Sequence, residues 1–304
     1  GLGLAWQMPE LTDAHIAFLQ YTSGSTSTPK GVQVSHGNLL ANERLIRHGL
    51  GICADDVMVS WLPLFHDMGL INGILQPLYT GFPGYLMGPS TFIQRPVTWL
   101  ETITRLGGTH CGAPNFGYEA CLLSVTADQK AGLDLSRWKS AFNGAEPVRR
   151  KTLEAFVDAF SDCGFQARKL YPCYGLAEAT LIVTGSEVHG EPIYFAADGP
   201  ALERNQVVPS ADPTGQLARH IVGCGTPVED LMVAIVDPVT RERLTDSVGE
   251  IWVSGPSVTA GYWQNPAATV ETFQATTATG DGPLMRTGDL GFIHAGELFV
   301  TGRI

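Results

Sequence analysis

Apolar residues in the first 185 positions alternate between short runs and helical spacing. At 96–108 and 148–163 they fall three and four positions apart and glycines follow, which predicts two helices. Ser35 is placed to cap another helix. Strands are predicted for apolar runs at residues 16–21, 32–34, 56–62, 84–87, around 140 and around 170. Strands that alternate with helices predict an α/β fold with a mostly parallel sheet covered by helices.

The pattern changes after residue 185. From Glu187 to Arg219 periodicity is weak and Pro, Gly, Asp and Ala are frequent. Strand-like runs separated by turn signals such as Asp237-Pro238 then follow, at 232–236, 250–254, 284–287 and 297–301. We therefore predict an α/β part at residues 1–185 and a mostly β part at 186–304, with a small antiparallel sheet or barrel.

Composition excludes several classes of protein. The 304 residues are 44% hydrophobic and 16% charged, which is typical of a globular domain. A net charge of −11 argues against non-specific binding of nucleic acid or anionic membrane. The sequence contains no apolar run of the ~20 residues that a transmembrane helix needs. The six cysteines lack zinc-like spacing, so we expect free thiols and a cytoplasmic location.

A hydroxyl-rich loop, YTSGSTSTPKG at 21–31, follows the first apolar run. Its glycines permit tight turns in which backbone amides face an anion, its hydroxyls can donate to phosphate oxygens, and Lys30 adds a positive charge. It is not a Walker loop, because the order is Pro-Lys-Gly and a short strand follows. The alternative is a surface linker rich in Ser and Thr.

Four further segments combine polar residues with apolar or glycine-rich surroundings: WLPLFHDMG at 61–69, NGAEP at 143–147, YPCYGLAEAT at 171–180 and RTGDLG at 286–291. Taken singly, each has a structural explanation. The pair His66-Asp67 can be structural, Glu178 can be an acid favoured at a helix N-terminus, and Asp289 can form an Asx turn. Adjacent residues such as His66 and Asp67 are expected to point apart, which argues against a shared metal.

In order, the loop and these segments resemble the motifs of the adenylate-forming superfamily, which includes acyl-CoA synthetases, firefly luciferase, peptide-synthase adenylation domains and fatty acyl-AMP ligases. The resemblance spans residues 17–304. It implies the large N-terminal domain of that fold. It also implies that ATP and Mg²⁺ serve to join a carboxylic acid to AMP with release of pyrophosphate.

The resemblance also implies residue roles. The catalytic residues would be Thr22, His66 and Glu178, with Glu178 also holding Mg²⁺. The ATP phosphates would bind the loop at Thr22, Ser23, Gly24, Ser25, Thr26 and Lys30. Adenine would lie against Asn143, Gly144, Ala145, Glu146, Tyr174, Gly175, Leu176 and Ala177. Asp289 would accept hydrogen bonds from the ribose, and Arg303 would reach the ribose or a phosphate.

An acyl pocket is predicted between two walls, formed by Trp61, Phe65, Met68 and Gly69 on one side and by Gly112, Ala113 and Asn115 on the other. The lack of side chains at Gly69 and Gly112 is interpreted as room for an alkyl chain.

Within the superfamily the resemblance is closest to the fatty acyl-AMP ligases, on the forms of the segments at 64–69, 143–147 and 174–180 and on the length of the 179–249 connection. The extra material in that connection is expected at about 192–223, where the alternative is a loop without a function. In these ligases the insertion hinders the movement that admits coenzyme A, and the acyl group passes to the phosphopantetheine arm of an acyl carrier protein. We expect the smaller domain with the catalytic lysine to be absent, and the isolated chain to be impaired. The alternatives are an acyl-CoA synthetase, an amino-acid-activating domain and a non-catalytic nucleotide-binding module.

Overall fold

The first element is a β-hairpin that leads into a capped helix. The computed structural model describes residues 7–22 and 29–304. Strand β1 (Ile16–Thr22) pairs with antiparallel β2 (Lys30–Ser35), and Thr22 lies opposite Lys30 at the base of the connecting loop. The Ser35 side chain accepts a hydrogen bond from the backbone N–H of Asn38 and so caps α1 (His36–Gly49), as predicted.

The central sheet has seven strands in the order β11-β8-β7-β6-β5-β3-β4. These are β3 (Met58–Ser60), β4 (Gly84–Leu86), β5 (His110–Ala113), β6 (Ser140–Asn143), β7 (Leu170–Gly175), β8 (Ile182–Gly185) and β11 (Thr226–Pro227). The strands from β4 to β7 are parallel, whereas β8 and β11 run antiparallel to their neighbours. The predicted mostly parallel sheet is confirmed.

Helices cover this sheet. They are α2 (Gln76–Thr80), α3 (Pro89–Gln94), α4 (Val97–Leu106), α5 (Asn115–Ser124), α6 (Ala127–Lys130) and α7 (Arg150–Phe160), together with a π-helical segment at Met68–Leu75. Helix α7 is shorter than the predicted 148–163, because a 3₁₀ turn at Ser161–Cys163 replaces its last residues. Gly164 ends that turn in the left-handed conformation at φ 83°. Further 3₁₀ turns lie at Ala167–Lys169 and Ala177–Ala179.

The C-terminal part consists mainly of antiparallel strands. Strands β9 (Tyr194–Asp198) and β10 (Ala218–Val222) form one pair, with α8 (Gly199–Leu202) after β9. A four-stranded antiparallel sheet follows in the order β12-β13-β14-β15. Its strands are β12 (Met232–Val236), β13 (Gly249–Ser254), β14 (Met285–His294) and β15 (Glu297–Arg303), and α9 (Pro266–Phe273) lies between β13 and β14.

The main hydrophobic core is continuous across the boundary predicted at residue 185. It contains Trp99 and Trp138, whose rings meet edge-to-face with centroids 5.2 Å apart, together with Val253 and Leu298 from the C-terminal part. Strand β11 also crosses that boundary to pair with β8. The two predicted parts therefore share a core and a sheet.

The six cysteines are free thiols, as expected. Among the described residues, no helix is long and apolar enough to cross a membrane.

Candidate active site

The hydroxyl-rich loop connects β1 to β2, so Thr22 and Lys30 stand opposite each other at its base. Of the predicted phosphate-binding residues, Ser23, Gly24, Ser25 and Thr26 lie outside the described residues. The Lys30 ammonium nitrogen lies 5.0 Å from the ring centroid of Tyr262. That distance is within range of a cation–π interaction, so the ring helps to hold the ammonium group at the base of the loop.

His66 and Asp67 are in direct contact, contrary to the expectation that they point apart. The Nδ1 atom of His66 is 2.6 Å from Oδ1 of Asp67, which also accepts a hydrogen bond from the backbone N–H of Met68. The bond to Asp67 raises the pKa of His66, while burial opposes the shift. The helical turn that begins at Met68 folds the two side chains together, and His66 remains about half exposed and available as a donor.

Gln20 positions this turn next to the loop. Its side-chain amide donates to the backbone carbonyl of Phe65 over 2.9 Å, although 45 residues separate the two. Because Gln20 lies in β1, two residues before Thr22, this bond places His66 beside the end of the hairpin. Sequence reasoning missed Gln20, since a single glutamine in an apolar strand gives no signal.

The NGAEP segment begins at the carboxyl end of β6. Ala145 has a left-handed backbone at φ 66°, an uncommon conformation for a residue with a Cβ atom. Glu146 extends from this turn to α5, where its Oε1 accepts a 2.6 Å hydrogen bond from the backbone N–H of Phe116. That N–H belongs to the first turn of α5, which has no intrahelical partner for it. Within the described chain, both side-chain polar atoms of the buried Asn143 lack a hydrogen-bond partner.

Tyr174, Asp289 and Arg303 form a hydrogen-bonded set that joins β7 to the β14–β15 hairpin. The Tyr174 hydroxyl donates to Oδ2 of Asp289 over 2.8 Å, and the Arg303 Nε donates to Oδ1 over 2.8 Å. Burial raises the pKa of Asp289, and the bonds from Tyr174 and Arg303 oppose that shift. The structure thus brings together three predicted nucleotide residues that lie 115 and 14 positions apart in sequence.

Glu178 lies in the 3₁₀ turn after β7, and its Oε1 accepts a 2.8 Å hydrogen bond from the Tyr262 hydroxyl. Thr180, two residues later, has φ 73° and ψ −63°, a strained conformation for a β-branched residue. In residues 7–22 and 29–304, no group of three or more His, Cys, Asp or Glu side chains is arranged to hold a metal ion. Glu178 alone nevertheless fits Mg²⁺, which is commonly held by one or two carboxylates plus substrate phosphates.

Of the apolar side chains predicted to line the acyl pocket, three are buried and one is exposed. Trp61 is buried against Phe92, with stacked rings 3.8 Å apart, and Met68 is buried too. The Phe65 side chain is 84% exposed. Ala113 is fully buried on β5.

The expectation that Gly69 and Gly112 leave room for a chain is wrong. A Cβ atom at Gly69 would lie 2.1 Å from the carbonyl oxygen of Pro63, and one at Gly112 would lie 2.2 Å from the ring of Phe142. At both positions protein atoms occupy the space into which a Cβ atom would point. These glycines therefore permit close approach of neighbouring segments.

Asn115 is also used for structure. Its buried side-chain amide donates to Glu119 over 2.9 Å and to Thr152 over 3.2 Å, and its oxygen accepts from the backbone N–H of Arg149 over 3.0 Å. These bonds hold the first turn of α5 against the start of α7. The polar side-chain atoms of Asn115 are therefore used in hydrogen bonds within the protein.

Tyr262 is a second residue that sequence reasoning missed. It belongs to the segment GEIWVSGPSVTAGYW at 249–263, in which the pattern of residue types indicates no chemistry. Its hydroxyl contact with Glu178 spans 84 residues. Only the folded chain makes that relation visible.

Comparisons with known proteins identify the family. Residues 5–263 match the sequence pattern of the family described as AMP-binding enzyme. The chain is 50% identical to the medium-chain-fatty-acid–[acyl-carrier-protein] ligase JamA of Moorena producens, over 100% of this chain and 52% of JamA. It is 39% identical to the long-chain-fatty-acid–AMP ligase FadD26 of Mycobacterium tuberculosis, over 98% of this chain and 53% of FadD26.

Among solved structures, the fatty acyl-adenylate ligase of Legionella pneumophila, in complex with acyl adenylate and pyrophosphate, superposes with a TM-score of 0.95 at 44% identity. The match covers 99% of this chain and 52% of the ligase. The chain thus spans about half the length of the relatives it matches. From the family match and these likenesses, the chain belongs to the AMP-binding, adenylate-forming enzyme family.

Proposed function

We propose that the protein activates a fatty acid with ATP, forming acyl-AMP and pyrophosphate. The observation that carries the proposal is the set Tyr174–Asp289–Arg303, in which a buried aromatic side chain, a carboxylate and a guanidinium meet. Tyr174 lies on β7, the strand that pairs with β6 where the NGAEP segment begins. An aromatic face suits adenine, a carboxylate suits paired ribose hydroxyls, and a guanidinium suits a phosphate.

The remaining residues suit the charges that develop in the reaction. Lys30 and the loop hydroxyls would hold the phosphates that leave as pyrophosphate. His66, whose pKa Asp67 raises, keeps a positive charge to higher pH than an isolated histidine. It would therefore donate to the acid's carboxylate or to the α-phosphate and align the two reacting atoms. When bound at Glu178, Mg²⁺ would neutralise charge on the phosphate oxygens.

The fatty acid and an acyl carrier protein are proposed as substrate and acceptor. JamA is named for medium-chain fatty acids and the acyl carrier protein, and FadD26 is named for long-chain acids and AMP. The predicted insertion at 192–223 folds as β9, α8 and β10 and packs next to β15. This placement supports a role for the insertion near the end of the nucleotide site, where it would limit access of coenzyme A.

The test uses the product of the complete reading frame that contains these residues. Labelled medium- and long-chain fatty acids are supplied with ATP and Mg²⁺, with and without coenzyme A, and the products are separated. We expect acyl-AMP that persists when coenzyme A is present and that is consumed by a phosphopantetheinylated carrier protein. Conversion to acyl-CoA would instead identify an acyl-CoA synthetase. Nucleotide binding without any acid-dependent product would identify a non-catalytic module.

A further inference from the structure

The segment at 255–263, which joins β13 to α9, contacts the backbone around Glu178. The backbone N–H of Thr259 donates to the carbonyl of Glu178 over 2.9 Å. The hydroxyl of the fully buried Thr180 donates to the carbonyl of Ser257 over 2.7 Å. These bonds hold the strained turn at Thr180 in place, and with it the direction of the Glu178 side chain.

The same segment also contacts the hairpin that carries the phosphate loop. The backbone N–H of Trp263 donates to the carbonyl of Gly31 over 2.7 Å, and the N–H of Gln33 donates to the carbonyl of Gly261 over 3.0 Å. These two bonds attach the end of the segment to β2, directly after Lys30. One short stretch of chain therefore bonds to both the proposed metal carboxylate and the base of the proposed phosphate loop.

The side chain of Tyr262 contacts both Glu178 and Lys30. It is 6% exposed, its ring packs edge-to-face on Phe273 with centroids 5.2 Å apart, and its backbone N–H donates to Thr269 over 3.0 Å. Its hydroxyl donates to Oε1 of Glu178 over 2.8 Å, while Lys30 lies over its ring at 5.0 Å. Because the ring is fixed by packing, it can fix the two charged groups relative to each other.

We infer that Tyr262 is a positioning residue that couples the metal-binding carboxylate of Glu178 to the phosphate-binding Lys30; this inference rests on the proposed function. The hydroxyl orients one carboxylate oxygen of Glu178, and the carboxylate would then hold the cation through its other oxygen. The ring holds the Lys30 ammonium at the loop base. Outer-sphere partners of this kind typically contribute about 10–100-fold to metal affinity.

Two substitutions separate the two contacts. Tyr262→Phe keeps the ring, and therefore Lys30 and the packing on Phe273, but removes the hydroxyl from Glu178. Tyr262→Leu removes the hydroxyl and the aromatic face together. Tyr79→Phe makes the same chemical change on α2, at a partly exposed residue outside the site, and serves as the matched control.

The readout is binding, measured on the complete gene product without turnover. Mn²⁺ replaces Mg²⁺, and its affinity in the presence of ATP is followed by electron paramagnetic resonance. We expect Tyr262→Phe to weaken Mn²⁺ binding by about tenfold or more, while the Kd for ATP in the absence of metal stays unchanged. Tyr262→Leu should additionally weaken metal-free binding of ATP and pyrophosphate, because Lys30 loses its support.

The outcomes distinguish this inference from the proposed function. If the wild-type protein binds Mn²⁺ and ATP but Tyr262→Phe binds Mn²⁺ equally well, the coupling role is refuted and the proposed function stands. If the wild-type protein binds no nucleotide and metal at all, the proposed function itself fails and the inference falls with it. Equal weakening in Tyr79→Phe would also refute the role, since the effect would not be local.

Discussion

Replacing Gly112 by alanine tests whether this glycine borders the acyl chain or serves packing. Gly112 lies in the middle of β5, paired with Phe142 of the parallel strand β6. An added Cβ atom would lie 2.2 Å from Cδ2 of the Phe142 ring and 2.3 Å from the Phe142 carbonyl oxygen. Carbon atoms in favourable contact are about 3.5–4.0 Å apart, so strand or ring must move by more than about 1 Å.

The loss of stability expected for Gly112→Ala follows from that overlap. Overpacking a core typically destabilises a protein by about 1–3 kcal/mol. Gly112→Ala should reach the upper end, because the added atom meets backbone as well as side chain and the Phe142 carbonyl already accepts a hydrogen bond from the buried Tyr118 hydroxyl. At about 2 °C per kcal/mol for a large domain, the melting temperature should fall by about 6 °C.

The assay is thermal unfolding of the 304-residue chain, with Gly132→Ala as control. At Gly132 the nearest heavy atom to an added Cβ is 3.8 Å away, so that variant should be neutral or slightly stabilised. In the complete gene product, the preference of Gly112→Ala for acid chain length should not change. A variant that melts like the wild type but rejects longer acids would refute the argument and return Gly112 to the acyl pocket.

Three further predictions test other residues. Glu146→Ala removes the acceptor at the Phe116 N–H, so KM should rise severalfold for both ATP and acid, whereas Glu146→Gln should keep both; a rise for ATP alone would contradict the link. Burial raises the pKa of Glu43 from its ordinary 4.5 to about 9. The free energy of unfolding should therefore fall as pH rises between these two values, because the carboxyl ionises in the unfolded chain but stays protonated in the folded one. Glu43→Gln should lessen the fall in melting temperature between about pH 6 and about pH 8.5, and an equal fall would refute a buried neutral acid. Asp289→Asn should weaken AMP binding about tenfold or more by calorimetry, because a charged acceptor is lost; unchanged affinity would contradict its place at the ribose.

The parallel sheet could be predicted because its strands are short apolar runs between helices of clear 3.6-residue periodicity. In α7 the buried residues Leu153, Phe156 and Phe160 are large and regularly spaced. The β9–β10 pair was not predicted, although β9 alternates between buried and half-buried positions. Its buried residues are Phe195 and Ala197, and an alanine among neighbouring alanines gives alternation too little contrast to detect.

The site was predictable as a set of motifs but not as a set of contacts. The resemblance to the superfamily motifs assigns Tyr174, Glu178 and Asp289 to one nucleotide site, and in the structure the Tyr174 hydroxyl donates to Asp289. Sequence gives no indication that Gln20 holds the Phe65 carbonyl, or that Tyr262 donates to Glu178, because these pairs are 45 and 84 residues apart. Such partners depend on how sheets pack, which no local periodicity encodes.

The first turn of α5 shows why residue roles drawn from motifs need separate tests. The motifs assign Asn115 to the acyl pocket and Glu146 to the adenine pocket, yet Asn115 lies in this turn and Glu146 accepts a hydrogen bond from it. Glu146 accepts from the Phe116 N–H, while the Asn115 side chain accepts from the N–H of Arg149, two residues after the NGAEP segment. The end of the segment and the residues that follow it are therefore hydrogen-bonded to α5 at two points. Because a shift of this turn would displace the proposed adenine contacts and acyl wall together, substitutions on either side should change the binding of both substrates.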